Sequence, residues 1–258
     1  MKLTHKLCGV ALLAALSTGA ILPTVTHAAE TPEEAAARVW SGKGSIKFTD
    51  DNGPDVPENP DTGNPEDIIK PPINGNNGPL KVISLTDLNF DTEKVTAAGA
   101  NGWLYTALPG EIERKDGTKE SVANFVRFKD TRADNLDNKH TLKATATTFT
   151  NTEGAELKGA TLEFNNITLN NLGDSGQVTT VAGNVPATNS ITTDGATPAT
   201  FVTQNEAGKG FGEFYLRFGE TGTTAGESVQ LAVPAKDNKL STTSAYTSTI
   251  TWTIESAR

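Results

Sequence analysis

A chain of 258 residues with 31 acidic against 22 basic side chains, and a formal net charge of −9, is a poor partner for nucleic acid, whose phosphates require clustered Lys and Arg. The acidity fits a solvated surface and keeps a domain soluble. One cysteine, Cys8, leaves no intramolecular disulfide to form, and the chain is long enough to bury a core without one.

In chain order, Lys2 and Lys6 form a basic start, residues 7–22 an apolar run and Thr26-His27-Ala28 a set of small residues before Ala29. This is the pattern of a secretory signal peptide over 1–28. The apolar run falls short of the ~20 residues that span a bilayer. Cys8, after His5-Lys6-Leu7, sits too early for a lipid-attachment box. Cleavage removes Lys2 and Lys6 and moves the net charge from −9 to −11.

Residues 29–49 hold a helix-capable run at 31–38 and a possible strand at 41–48, where Ile46 and Phe48 alternate with Lys47. From 50 to 79 the composition turns to Asp, Asn, Gly and Pro with few large apolar residues. Proline removes ladder donors and low hydrophobicity removes the gain from burial, so this stretch is expected to be a disordered acidic Pro-rich linker. Asp50-Asp51-Asn52-Gly53 lacks the 12-residue spacing of an EF-hand.

From residue 80 to 258 short β-runs follow one another, broken by Gly, Asn and Asp: 80–90, 103–108, 122–129, 140–149, 157–169, 177–181, 211–218, 229–233 and 246–255. Threonine is the commonest residue, and its β-branch favours strands. The expected fold class is all-β, an antiparallel β-sandwich. The last run alternates without a slip, with Tyr246, Ser248, Ile250, Trp252 and Ile254 on one side and Thr247, Thr249, Thr251, Thr253 and Glu255 on the other. That phase directs Trp252 towards the core. The chain ends on this strand, and no membrane anchor or sorting tail is expected beyond it.

Chemistry-bearing residues are sparse. His140 is the only histidine left after residue 28, which disfavours His-rich zinc sites. A Ser-His-Asp hydrolase would need His140 as its base, with Asp134 or Asp137 to orient it, and no Gly-x-Ser-x-Gly elbow occurs. His140 therefore reads as a strand-start histidine near the surface. Among carboxylates, Glu156, Glu163, Glu213, Glu220 and Glu227 are available for glycoside hydrolysis, but nothing selects a pair. Gly208-Lys209-Gly210-Phe211-Gly212 reads as a turn into a strand rather than a phosphate cradle. No catalytic residue, cofactor or metal ligand is assigned, and a binding or structural role is expected.

The order of several pieces carries a resemblance. A signal peptide and an acidic linker are followed by Gly78-Pro79-Leu80, Leu88-Asn89-Phe90, the run 126–132 with Asp130-Thr131-Arg132, the run 157–162, Val233-Pro234 and the terminal strand. Together they resemble the WxL-domain surface proteins of low-GC Gram-positive bacteria over essentially the whole mature chain. The resemblance implies a secreted protein attached non-covalently to the cell wall through its C-terminal domain, with peptidoglycan or another wall glycan as ligand. It also implies company, a membrane-anchored WxL-interacting protein and other WxL proteins, so that the alternative role is a structural subunit of a surface complex. The terminal motif here is Trp252-Thr253-Ile254, and the place of the upstream motif is taken by His140-Thr141-Leu142. Trp103-Leu104 precedes Asp130-Thr131-Arg132 and is not the missing motif. The residues carried forward are Trp252, Ile254, His140, Leu142 and Trp103, with the recognition surface expected around His140 and its neighbouring loops.

Overall fold

Fourteen strands build the described part of the chain: β1 (Ile68–Lys70), β2 (Leu80–Leu85), β3 (Trp103–Thr106), β4 (Gly110–Arg114), β5 (Lys119–Val122), β6 (Asn124–Asp130), β7 (His140–Ala146), β8 (Thr161–Phe164), β9 (Ile167–Asn170), β10 (Asn189–Thr192), β11 (Ala199–Gln204), β12 (Gly212–Phe218), β13 (Val229–Val233) and β14 (Ile250–Ser256). The structure is a computed structural model, and it describes residues 32, 41–47, 53–63, 67–133, 136–171 and 184–258. The expected signal peptide, the helix-capable run apart from Pro32, and the strand expected at 177–181 lie outside these residues. Residues 41–47 belong to a first unit, Met1–Lys47, separate from Phe48–Arg258. They are exposed and carry no strand pairing, and Ile46 is 77% exposed. One or two apolar residues among Gly, Ser and Lys bury too little to hold the strand expected there.

All strand pairings are antiparallel, in four sheets ordered β2-β6-β12-β9, β10-β8-β13-β3, β11-β7-β14 and β1-β4-β5. The all-β expectation is met. Alternation along β6 and β12 explains the layering: Val126 and Phe128 share one face with their cross-strand partners Leu216 and Phe214, while Arg127 and Phe125 share the other with Tyr215 and Arg217. Every residue of β6 is nonetheless buried. Both faces of this sheet are covered.

Aromatic rings dominate the inner face. Phe218 of β12 meets Phe164 of β8 at 4.7 Å and Phe201 of β11 at 6.0 Å between centroids, and Phe128 stacks on Phe214 at 5.3 Å. Each buried Phe contributes about 1.5–3 kcal/mol by leaving water, so this layer carries the sandwich. The run expected as one strand at 157–169 is two, because the chain leaves one sheet as β8 and joins another as β9. Asn166, at φ 50°, makes the turn between them, in the left-handed region that Asn tolerates better than most residues.

The outer face has two covers. Ile68, Ile112 and Val122 from the small β1-β4-β5 sheet pack with Phe125 and Tyr215 as a second core. Next to it, the acidic stretch expected as a linker carries more order than its composition implies. Asp55 ion-pairs with Lys81 at 2.6 Å and Lys129 at 2.7 Å, Glu58 with Arg127 at 2.8 Å, and Asp61 with Arg217. Lys129 and Arg127 side chains are only 1% and 2% exposed, and a buried cation is tolerated when a carboxylate accompanies it.

Candidate functional site

β14 lies beside β7, and their register places Trp252 opposite Ala144, Ile254 opposite Leu142 and Ser256 opposite His140. Both three-residue motifs of the sequence thus sit side by side in one sheet. The alternation of the terminal run is realised residue by residue: positions 246, 248, 250, 252 and 254 are half-buried and 247, 249, 251 and 253 exposed. The hydroxyl face meets water, as the Thr residues there predict.

Trp252 packs as its phase requires. Its ring lies 4.7 Å from Phe201, 6.0 Å from Phe218 and 6.4 Å from Phe164, within the range in which aromatic pairs add to area burial. Small Ala144 and Ala146 on the inner face of β7 are buried beside it, and alternating small with large side chains lets the layers interdigitate. Ile254 is half-buried and Leu142 fully buried in the same cluster.

His140 corrects the expectation of a near-surface histidine, being 0% exposed. Its Nδ1 donates to Asp130 Oδ2 at 3.1 Å, so its carboxylate partner is not Asp137, which is half-buried and accepts from the Gly208 amide; Asp134 lies outside the described residues. Asp130 also accepts from Arg132 Nε at 2.7 Å, Arg132 Nη2 at 2.6 Å and Asn138 Nδ2 at 2.9 Å. Burial alone would raise the Asp130 carboxyl. Hydrogen bonds from Arg132, His140 and Asn138, with the Arg132 charge, outweigh it and hold the group far below the ordinary carboxylate range. Phe128 and Phe214 flank the imidazole at 5.7 Å and 6.0 Å. His140 and the Asp-x-Arg segment are therefore one buried polar knot that ties β6 to β7. The ring presents no surface to a polymer in this state.

The exposed part of the arrangement is at the other motif. Trp252 lines two adjoining clefts, of about 770 Å³ and about 370 Å³, both also lined by Leu85, Thr86, Asp87 and Asn89 from the segment after β2. Asp87 and Asn89 are exposed. In the smaller cleft, Phe90 and Phe149 meet edge to face at 6.2 Å, with Tyr246 and Ile250 nearby. Concave sites of this size are where ligands bind, and here polar and apolar side chains share the lining. The indole N–H of Trp252 has no acceptor among the described residues. Trp103 differs: it stands on edge strand β3 opposite Val233, and its Nε1 donates to the Thr96 carbonyl at 2.9 Å.

The segment 85–89 was not a candidate from the sequence. Its only signal there was Leu88-Asn89-Phe90 as a landmark, since its position beside Trp252 depends on a contact across more than 160 residues. Among the described residues, no group of three or more His, Cys, Asp or Glu is placed to hold a metal ion, and no helix is long and apolar enough to cross a membrane. Neither a curated protein nor a solved structure matches this chain. Residues 35–257 match the family model described as WxL domain surface cell wall-binding, and the chain belongs to that family.

Proposed function

We propose that this protein is a secreted, non-catalytic cell-surface protein that holds peptidoglycan of the Gram-positive wall non-covalently, through the cleft beside Trp252. Family membership makes it a wall-associated surface protein. The observation that supports the finer reading is Trp252 itself, half-buried, shared by two clefts and with no acceptor for its N–H among the described residues. A flat indole packs on sugar C–H groups while its N–H donates to a hydroxyl, and Asp87 and Asn89 add polar groups at the rim. This reading moves the recognition surface from the buried His140 to the terminal motif. Purified sacculi test it: wild type sediments with the wall, and Trp252→Phe, which keeps an aromatic in the core but removes the N–H, is retained roughly 3–10-fold less well, the worth of one hydrogen bond. Wild type left in the supernatant across pH and salt would overturn it.

A second reading rests on its own observation. β3 ends its sheet, and Leu104 on it is 57% exposed, which suits strand addition by a protein partner such as a membrane-anchored WxL-interacting protein. That role predicts wall retention only when the partner is present.

A further inference from the structure

Residues 54–61 carry a pattern of period three. Pro54, Pro57 and Pro60 each precede an acid, Asp55, Glu58 and Asp61. Proline fixes φ at about −65° and stiffens the chain at each step, and the segment closes in a turn in which the Thr62 and Gly63 amides donate to the Asn59 carbonyl at 3.3 and 2.8 Å and the Asp61 amide to Asn59 Oδ1 at 2.9 Å. The face they meet is a row of cations set into rigid strands. Lys81 of β2 and Lys129 of β6 are cross-strand partners, Arg127 follows two residues along β6, and Arg217 of β12 stands opposite Phe125, two further. Strand geometry spaces such steps at about 6.8 Å, and the turn at 59–63 brings Asp61 onto the Arg217 step.

Each acid finds its cation in order: Asp55 on Lys81 and Lys129, Glu58 on Arg127, Asp61 on Arg217. Further hydrogen bonds add direction. Arg127 Nη1 donates to the Val56 carbonyl at 2.6 Å, Tyr215 Oη to Glu58 at 3.3 Å and Thr221 Oγ1 to Asp61 at 3.1 Å. Arg127 is also held by Glu213 of β12 and lies 5.5 Å over the Tyr215 ring, so the sheet positions this cation by itself. Gly53 and Gly63 bracket the segment, Gly63 at φ 69°.

The sheet therefore holds a receptor and residues 54–61 its ligand. We propose that the outer face of β2-β6-β12 is a recognition site for a proline-spaced acidic peptide, filled in cis by residues 54–61, and that the same segment of a second copy of this chain can fill it in trans. A segment stiffened by three prolines loses little conformational entropy on docking, and a tethered segment competes at millimolar effective concentration. Exchange between copies links chains without any new surface.

The test uses the full chain carrying Asp55→Asn, Glu58→Gln and Asp61→Asn, and a fluorescent peptide of residues 53–63. The neutralised chain is expected to bind this peptide at least ~10-fold more tightly than wild type, whose site is occupied in cis, with affinity falling as salt rises. A peptide of the same composition with its acids out of the three-residue period binds at least ~10-fold less well if the spacing is read. Mixed with an Arg127→Ala, Arg217→Ala chain, whose strap is intact and whose row has lost the cations for Glu58 and Asp61, the neutralised chain forms a 1:1 heterodimer in sedimentation velocity, and neither chain dimerises alone. No peptide binding by a neutralised chain with wild-type near-ultraviolet dichroism, equal binding of the scrambled peptide, or no heterodimer overturns the proposal. If the neutralised chain does not fold, a Cys8→Ser, Val56→Cys chain spin-labelled at position 56 decides. Excess 53–63 peptide releases the label into fast motion if the segment exchanges, and an unchanged spectrum at millimolar peptide overturns exchange.

Discussion

Ile254 stands directly across the β7–β14 ladder from Leu142, so the third residues of Trp252-Thr253-Ile254 and His140-Thr141-Leu142 face each other inside the sandwich. The two motifs are one packing unit contributed by strands more than 100 residues apart. Leu142→Ala should cost about 2–5 kcal/mol, because a fully buried Leu leaves a cavity, and Ile254→Ala less, since Ile254 is half-buried. A double-mutant cycle in denaturant should show a coupling of about 0.5 kcal/mol or more. Strict additivity would mean that the pair shares a ladder but not a contact.

Trp252 is asked to serve both core and cleft, and two substitutions separate these roles. Trp252→Ala should lose about 3 kcal/mol, the low end for a large aromatic because the ring is half-buried, or roughly 6–12 °C of melting temperature for a domain of this size. Trp252→Phe should recover most of that stability while remaining weak on sacculi. Equal losses of stability in both variants would assign the indole to packing alone.

Restoring a tryptophan at the upstream motif should harm rather than help. His140 is fully buried and donates to Asp130. His140→Trp adds volume between Phe128 and Phe214, which costs about 1–3 kcal/mol by overpacking, and removes one donor from a buried carboxylate. Calorimetry should show a lower melting temperature. A gain in wall retention by this variant, with stability unchanged, would place a ligand contact at position 140 after all.

What could be read from residues alone follows from range. β13 coincides with the run expected at 229–233, and the terminal run shows its alternation, because period-two patterning is local and one face meets water. β4 and β5 were missed because Glu, Arg and Lys fill them and only Ile112 and Val122 point inward to the small second core. The acidic stretch looked like a linker since its own apolar content is low. The cations that hold it, Lys129, Arg127 and Arg217, lie 74, 69 and 156 residues further on, and no window joins them. Burial rather than range hid Asp130 as the partner of His140, ten residues on: a carboxylate ending one strand and a histidine starting the next look solvated until the sheets close over them. The Trp252 cleft was half legible. The motif marked the strand, and only the fold supplied the 85–89 wall.

Acid should loosen this fold through Asp130. Its carboxyl sits below its ordinary value of 3.8 in the native state, so the folded chain binds fewer protons there than the unfolded one. The stability this confers is fully present above the unfolded value and is lost as pH falls below it. Asp55, lowered because its Lys129 and Lys81 bonds outweigh burial, acts in the same sense. Glu58 acts in the opposite one, since burial with the nearby Glu213 charge raises it against the pull of Arg127; its protonation slightly favours the folded state as pH falls through that higher value. Wild type should therefore lose stability mainly between about pH 4 and pH 2. Asp130→Asn should be less stable at pH 7 by about 3–5 kcal/mol, having left Arg132 without its buried partner. Its stability should also fall less steeply below pH 4, the two curves converging in acid while the Asp55 slope persists in both. Thermal unfolding of the two chains from pH 7 to pH 2 measures this. Parallel curves over that range would mean that Asp130 does not hold its proton affinity down in the folded state, and that the knot joining β6 to β7 draws its strength from packing around Phe128 and Phe214 instead.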